Sequence, residues 1–424
     1  MASLSRSTQK PAWVLALFVC AHTLLSIDRG VMAILAEPIK RAFTLTDGQL
    51  GLLTGIGFSL FFGIGGIPIG MLVDRISRKK ILAASVFVFS GMTALAAAAG
   101  SFVQILLTRS IVGAGEAGGT PSMGSILADL YPPGRRAQAM AIFYAGNPLG
   151  AILAFLVGGT IAAHYGWRAT FLAAGIPGMI LALILLLAVR EPERRADTGH
   201  LEGTDAPTLG ETLGFIRSQR ALRHILFTPV LTSAASAGVF SFAASFFIRS
   251  HGLTLPQVGL LLAVFYGTLG AIGTVLCGRL VDHLARRDER WRPWFCALAN
   301  LLAAIAIPIM TLSSGMPGAV FGLGLYAVAT TATYGPLLAM LQSLVAPRMR
   351  GTVTAIFYLL SYLLGAASGP WIVGHASDLL VPHYGIESLR YGIMLMGLLY
   401  AWGALHFLLA GRRFRQDLSV AAAL

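Results

Sequence analysis

Residues 70–80 of the chain read GMLVDRISRKK. This stretch lies between two long apolar runs, and a related stretch, GRLVDHLARR, occupies residues 278–287 in the second half. A second match supports the first, because AIFY occurs at 141–144 and again at 355–358, each time after a proline and an arginine at the same spacing. Two matches at equivalent places indicate an internal duplication.

The composition places this duplicated chain in a membrane. Of its 424 residues, 56% are hydrophobic and only 12% are charged, whereas a soluble domain carries about 25% charged residues. A spanning helix needs roughly 20 mostly apolar residues. The uninterrupted runs favour helices over barrel strands, which would alternate over about 10 residues. The predicted spans are 12–36, 49–73, 79–99, 102–128, 137–163, 168–190, 223–248, 256–281, 292–312, 316–342, 350–376 and 389–411.

We therefore predict an all-α membrane protein with twelve transmembrane helices in two pseudo-symmetric six-helix bundles. The first bundle is predicted at 12–190 and the second at 223–411, with a linker at 191–222 on the cytoplasmic side. Within the linker, residues 209–223 are compatible with either a surface amphipathic helix or a flexible connection. Duplicated folds of this kind are typical of secondary transporters, whose substrate site lies near the membrane midplane between the halves.

The positive charge indicates topology. The formal net charge is +13, and most of the 31 Lys and Arg residues lie in segments that become cytoplasmic when the N-terminus is inside. Both termini are then expected in the cytoplasm. The protein itself is expected in a bacterial inner membrane. Because the charge marks loops, no nucleic-acid partner is expected. The three cysteines predict neither a disulfide framework nor a metal site.

Residues 70–80 resemble the loop signature of the major facilitator superfamily, with Ser77 in place of the usual glycine and a weaker second copy. Within that superfamily the first half resembles the Spinster-like group. The resemblance rests on Asp28-Arg29, on RSIVGAGEA at 109–117 and on DLYP at 129–132. It implies the twelve-helix fold and an amphiphilic substrate of lysolipid or sphingoid type. It also implies a cytoplasmic gate between the halves, which we assign to Gly70, Asp74, Arg75, Arg78 and Asp282.

Four charged residues lie well inside predicted spans, and all are in the first half: Asp28, Arg29, Arg109 and Glu116. Charge at the bilayer centre costs about 2.5–3.5 kcal/mol per residue on insertion scales, so these groups must pair or face a wet cavity. Arg109 and Glu116 share a helix face but lie about 10 Å apart along it, so each needs another partner. Asp28 or Arg29 could provide one.

We assign proton coupling to Asp28 and Glu116, since burial favours the neutral carboxyl and a nearby arginine favours the charged one. Arg29 and Arg109 suit an anionic group on the substrate. Two alternatives stay open, namely a static ionic cluster and arginines that merely balance the carboxylates. Pocket candidates are the polar side chains of Asn147, Tyr266, Thr330, Tyr334, Tyr358 and Tyr362.

Other functional classes have weaker support. No lysine is followed by Ser or Thr, which excludes a phosphate-binding P-loop within this sequence. We find no metalloprotease or hydrolase motif, so no enzyme and no cofactor other than a coupling proton are predicted. The expected partners are membrane lipids and a small-molecule or lipid substrate, bound by a monomer. A transporter of a small organic anion remains an alternative, as does a receptor that binds its ligand without moving it.

Overall fold

A computed structural model describes residues 10–192 and 208–422, apart from the side chains of Ile67, Asp74 and Ala422. All regular structure in these ranges is helical. We number the spanning helices α1 to α12 in chain order. Their bounds are α1 Pro11–Ile34, α2 47–75, α3 Arg78–Ala96, α4 102–130, α5 133–165, α6 167–188, α7 Arg220–His251, α8 255–285, α9 Trp291–Leu312, α10 Met316–Ser343, α11 350–384 and α12 Ser388–Ala422.

Nine continuous helical stretches within the described ranges are long and apolar enough to cross a membrane. Two of these stretches, Pro133–Ala188 and Pro347–Ala421, each hold two spans. The first is divided at Gly166, whose φ of 82° is a left-handed value that favours glycine. Helix α4 falls outside the nine because its regular structure is interrupted between Glu116 and Gly119. The fold is thus the predicted arrangement of twelve spans.

The helix ends differ from the prediction mainly in the second half. Helix α11 continues to Tyr384 and α12 to Ala422, both beyond their predicted ends. Residues 193–207 of the predicted linker lie outside the described ranges. Its second part forms the short helix Leu209–Ser218, whose first turn is closed by a capping box between Thr208 and Glu211. The boundaries of the two bundles stay a prediction.

The two ends of the bundle differ in how the halves meet. We call the end with the turns at 76–77, 131–132, 286–290 and 344–349 the basic face, and the end with the turns at 44–46, 97–101, 252–254 and 313–315 the sealed face. At the sealed face one continuous core joins residues of both halves, among them Leu50, Phe155, Phe242 and Val258. Towards the basic face, separate cores fill the first half and the second half.

Backbone contact across the halves depends on glycine. A side chain on Gly374 of α11 would overlap the backbone of Asp47 at the start of α2. Gly259 of α8 lies in the same way against the backbone of Phe155 in α5. Small residues permit such close approach of helices in membranes.

Four helices contain a π-helical segment, and in the described ranges these segments occur in α2, α5, α8 and α11. They cover Leu52–Ile56, Leu153–Val157, Ala263–Leu269 and Ser361–Ala366. All four helices contact the other half of the molecule. Their equivalent places in the two halves agree with the duplication seen in the sequence.

Candidate functional site

Two ion pairs join α1 to α4 in the middle of the first half. The Arg29 guanidinium donates from Nε and Nη2 to Glu116 Oε2 at 3.0 and 2.7 Å. Arg109 Nη1 lies 2.7 Å from Asp28 Oδ2. The seven-residue spacing predicted that Arg109 and Glu116 need partners elsewhere, and the structure places both partners on α1. The pairing is crosswise, because each helix supplies one cation and one anion.

The two carboxylates differ in how their oxygens are used. Both oxygens of Asp28 accept hydrogen bonds, Oδ1 from the Thr93 hydroxyl at 2.5 Å and Oδ2 from Arg109. Glu116 accepts Arg29 through Oε2 alone, and its buried Oε1 has no hydrogen-bond partner in the described part of the chain. A buried acceptor without a partner costs free energy. Each oxygen of Asp28 thus has a donor, whereas Oε1 of Glu116 has none among the described residues.

A cavity of about 160 Å³ lies between the halves beside these ion pairs. Arg29 and Arg109 line it, and neither Asp28 nor Glu116 does. The Arg29 side chain is 37% exposed, while that of Glu116 is fully buried behind it. Both guanidinium groups lie over the Phe58 ring, at 5.4 and 5.3 Å from its centroid. The described charges facing the cavity are therefore positive.

The second half contributes uncharged groups to the cavity. Phe240, Ser241 and Tyr362 line it opposite the arginines, together with Ala237 and Ala366. From the first half, Thr54 and Ser59 add hydroxyls, and Met32 and Ala33 add apolar surface. The cavity thus combines two cations with a mainly apolar and hydroxyl-bearing wall.

The predicted pocket residues separate into two groups. Tyr362 lines the cavity, and the hydroxyls of Tyr334 and Tyr358 lie 3.2 Å apart, nearer the basic face. Tyr266 packs against Phe155 and Phe240, and its buried hydroxyl has no partner within the described ranges.

Two other predicted pocket residues, Thr330 and Asn147, are not among the described residues that line the cavity. The Thr330 hydroxyl donates to the Tyr326 carbonyl of its own helix at 3.0 Å. Asn147 is exposed, and its backbone carbonyl accepts the Ser26 hydroxyl at 2.8 Å.

Two of the predicted gate residues at the basic face, Arg78 and Asp282, bond within their own halves. Arg78 is buried and contacts Asp129, the Ser125 hydroxyl at 3.0 Å and Glu191 at 2.9 Å. Asp282 pairs with Arg292 at 3.5 Å in the second half. Gly70 and the exposed Arg75 lie near the end of α2, and the Asp74 side chain is outside the described part.

Glu191 is held by several donors at this face. Burial alone would raise the pKa of Glu191, but hydrogen bonds from the Ser77 hydroxyl, the Lys79 backbone N–H and Arg78 outweigh it. The pKa of Glu191 therefore lies below its usual value. The carboxylate ties the end of the first half to the turn that contains the loop signature.

The sealed face carries a charged cluster that the sequence did not predict. Arg249 of α7 donates to Asp47 at 2.9 and 2.8 Å and to Glu37 at 2.9 Å, crossing from the second half to the first. Lys40 and the Ser377 hydroxyl also contact Asp47. In the described ranges, the ion pairs between the halves are those of Arg249. We call Glu37, Lys40, Asp47, Arg249 and Ser377 the outer cluster.

A carboxylate of α11 completes this contact. Asp378 accepts the backbone N–H groups of Asp47 and Gly48 at 2.8 and 2.7 Å, and so caps the N-terminus of α2 from the other half. The local signal in the sequence is the capping box of Thr46 and Gln49. It predicts that a helix starts here but not which residue of the other half contacts it.

Fold and site together define a helical membrane transporter with two duplicated halves and a cavity between them. Residues 17–370 match the Major Facilitator Superfamily, and the chain belongs to that family. It is 30% identical to an MFS-type efflux pump of Mycolicibacterium smegmatis over 97% of this chain and 96% of the pump.

Two further relatives fall in the Spinster group, which confirms the resemblance found in the sequence. The sphingosine-1-phosphate transporter SPNS2 of Mus musculus is 26% identical, covering 95% of this chain and 77% of its own. The crystal structure of a bacterial homologue of the human lysosomal transporter Spinster, inward-facing and unoccupied, superposes with a TM-score of 0.88. That structure is 28% identical and covers 97% of this chain and 99% of its own. The relatives are transporters and not enzymes.

Proposed function

We propose that this protein is a proton-coupled secondary transporter that moves an amphiphile with an anionic group by alternating access. The observation that carries the proposal is the orientation of the two ion pairs. Both arginines face the cavity between the halves, and both carboxylates lie behind them. A guanidinium offers a carboxylate or phosphate two parallel hydrogen bonds, so the cavity favours an anion.

The packing of the halves supports alternating access. The outer cluster and the shared core close the sealed face, whereas the halves have separate cores towards the basic face. Transport then requires Arg249 to part from Glu37 and Asp47. We assign the basic face to the cytoplasm from its excess of Lys and Arg, with a monomer in a bacterial inner membrane.

Among the two carboxylates, the hydrogen bonding favours Glu116 as the proton carrier. A proton on the unpartnered Oε1 would neutralise Glu116 without displacing an existing hydrogen bond. The Arg29 guanidinium would then lose its counterion and bind an anionic substrate more strongly. Substrate and proton would thus be coupled through Arg29. Asp28 would instead hold Arg109 in place, with Thr93 as its second partner.

The wall of the cavity favours an amphiphile over a small hydrophilic anion. Phe58, Phe240, Met32 and Ala366 provide apolar surface next to the arginines. An alkyl chain gains from such burial, about 25 cal/mol per Å² of apolar surface removed from water. The name of the mouse relative points to a lipid anion for that protein, which supports the same substrate class here.

Transport in proteoliposomes tests the proposal. Uptake of radiolabelled lysophosphatidate, with benzoate as the small anion, is measured with and without a pH gradient. Glu116→Gln should abolish the stimulation by the gradient while leaving lysophosphatidate binding in place. Glu289→Gln is the matched control, because Glu289 is a carboxylate at the basic face paired with Arg292.

Three results would contradict the proposal. Unchanged stimulation in Glu116→Gln would remove the proton role. Uptake of benzoate alone would favour the small-anion alternative. Binding without flux for either compound would make the protein a receptor.

A further inference from the structure

A second cavity lies on the outside of the first half, between α3 and α4 at the sealed face. Its volume is about 340 Å³. Two leucines that line it, Leu95 and Leu107, are 55% and 57% exposed. On a spanning bundle such apolar surface faces lipid. We call this cavity the α3–α4 groove, and its lining includes Met92, Leu95, Ala98, Ala99, Gln104 and Leu107.

The groove is apolar along the helices and polar at the end next to the turn at 97–101. At that end Gln104 Oε1 accepts the Gly100 backbone N–H at 2.7 Å. This bond fixes the orientation of the amide, because an N–H must meet the oxygen and not the NH₂ group. The NH₂ group of Gln104 donates to no other described residue and is therefore available to a ligand.

An arginine of α6 lies at the same end of the groove. Helix α6 packs against α3, and Arg168 near its start donates from Nη2 to the carbonyl of Ala99 at 3.2 Å. The guanidinium also lies 4.1 Å from the centroid of the Trp167 ring. These contacts hold the cation at the mouth of the groove, and the hydrogen bond uses one of its five N–H donors.

Arg168 differs from the other cations of the sealed face in its lack of a carboxylate partner. In the described ranges it forms no ion pair, and its polar contact is the Ala99 carbonyl. The first turn of a helix is an unfavourable place for a cation, because the helix dipole is positive there. Each of the other cations at this face pairs with a carboxylate, namely Lys40, Arg41, Arg249 and Arg390.

The second half contains the same turn together with a counterion. The sequence His-Tyr-Gly occurs at 164–166 before Arg168 and again at 383–385 before Arg390, and both glycines have a positive φ. The second copy carries Glu387 between the glycine and the arginine, and Glu387 pairs with Arg390. The first copy has no acidic residue in that place. An anion from outside the protein would therefore do for Arg168 what Glu387 does for Arg390.

We propose that the α3–α4 groove binds an anionic phospholipid of the leaflet at the sealed face. The phosphate accepts hydrogen bonds from Arg168 and Gln104, and the upper part of an acyl chain fills the groove. A lipid with an ammonium in its head group brings its own counterion and gains less from Arg168. The site therefore prefers phosphatidylglycerol to phosphatidylcholine. The inference is independent of the transported substrate, because the groove and the cavity between the halves share no lining residue among those described.

Quenching by brominated lipids measures occupancy of the groove. A bimane probe is attached to Val103→Cys in a chain whose three native cysteines are replaced by serine. Val103 is 59% exposed and lies one turn before Leu107 on the same side of α4. The full chain is reconstituted in phosphatidylcholine vesicles with increasing fractions of brominated phosphatidylglycerol or brominated phosphatidylcholine. Half-quenching by the brominated phosphatidylglycerol should need about a fivefold lower fraction, the effect of one arginine near an anionic lipid.

Variants separate the cation from the groove. Arg168→Gln should remove the preference for phosphatidylglycerol, whereas Arg168→Lys should retain most of it because the charge remains. Ala98→Phe fills the groove and should also remove the preference while Arg168 stays in place. Arg41→Gln is the matched control, since Arg41 is an exposed arginine of the same face that pairs with Glu37, and the preference should not change.

A second probe position tests whether the preference is local. Phe321→Cys places the bimane near the sealed-face end of α10, where Phe321 is 64% exposed, and both lipids should quench it alike. An equal preference there would reflect a general enrichment of anionic lipid and would overturn the site. So would equal quenching by both lipids at Val103→Cys, or a preference that persists in Arg168→Gln or in Ala98→Phe. Loss of the preference on addition of soluble glycerol phosphate would assign Arg168 to a free phosphate instead of a lipid.

Discussion

Replacing Arg249 by methionine should open the sealed face. Arg249 is the residue whose ion pairs cross between the halves in the described ranges, and it contacts both Asp47 and Glu37. Methionine keeps an unbranched side chain but removes the charge and all donors. Asp47, which is almost fully buried, would keep Lys40 as its remaining cation, and Glu37 would keep only the exposed Arg41.

The cost follows from the burial of the partners. Removing one member of a buried ion pair costs about 3–5 kcal/mol, because the other charge stays buried without compensation. Lys40 still neutralises part of Asp47, so the lower end applies here. A loss of about 3 kcal/mol changes the equilibrium between sealed and open states by roughly 150-fold, at 1.36 kcal/mol for each factor of ten. The sealed state should therefore lose most of its free-energy advantage over the open state.

Labelling of a buried cysteine measures this opening. Ser245 lies one turn before Arg249 on the same side of α7, is fully buried, and its hydroxyl has no partner in the described ranges. With the three native cysteines replaced by serine, Ser245→Cys in nanodiscs should react slowly with an impermeant maleimide. Adding Arg249→Met should accelerate the reaction by one to two orders of magnitude on the same basis of a roughly 150-fold shift.

Controls separate gating from unfolding. Arg168→Met removes an arginine at the same face whose side chain, among the described residues, bonds to the Ala99 carbonyl and packs on Trp167, so labelling should not change. Adding Glu37→Gln and Asp47→Asn to Arg249→Met removes the uncompensated charges and should slow the labelling again. If Arg249→Met reacted no faster than Arg168→Met, the outer cluster would not hold the sealed face closed.

Three more predictions follow from single contacts. The folded pKa of Glu191 lies below its unfolded value, so the stability that this carboxylate contributes is present at neutral pH and is lost as the pH falls through the folded pKa. The difference in thermal stability between the unaltered protein and Glu191→Gln should therefore vanish on acidification. A difference that stays constant with pH would contradict this role of Glu191. Gly374→Ala should destabilise the protein by about 1–3 kcal/mol through overpacking against Asp47, whereas Gly278→Ala, with open space around it, should be neutral in the same thermal assay. Thr93→Val should cost about 1–3 kcal/mol by leaving Asp28 Oδ1 without its donor, and equal melting temperatures for the variant and the unaltered protein would refute that role.

The sequence determined the membrane fold because its signals are local. A run of about 20 apolar residues must form a helix, since the bilayer offers no other partner for backbone N–H and C=O groups. The loop signature at 70–80 and its second copy then identified the duplication. The four charges inside the spans were found in the same way, because an intramembrane charge is costly wherever it lies.

The sequence could exclude some ion-pair partners for these four charges, but it could not predict which pairs form. Helix geometry excluded a pair between Arg109 and Glu116. It could not decide that Arg29 binds Glu116 and Arg109 binds Asp28, because that depends on the rotation of α1 against α4. The direction of the pairs, with cations towards the cavity, is a tertiary property for the same reason.

The outer cluster came only from the tertiary structure. Asp47, Arg249 and Asp378 are far apart in the chain, and each is an ordinary residue for a helix end near a membrane surface. Local sequence patterns predict whether a segment lies in the membrane, in a loop or at a helix end. Contacts between helices depend instead on how the two halves pack.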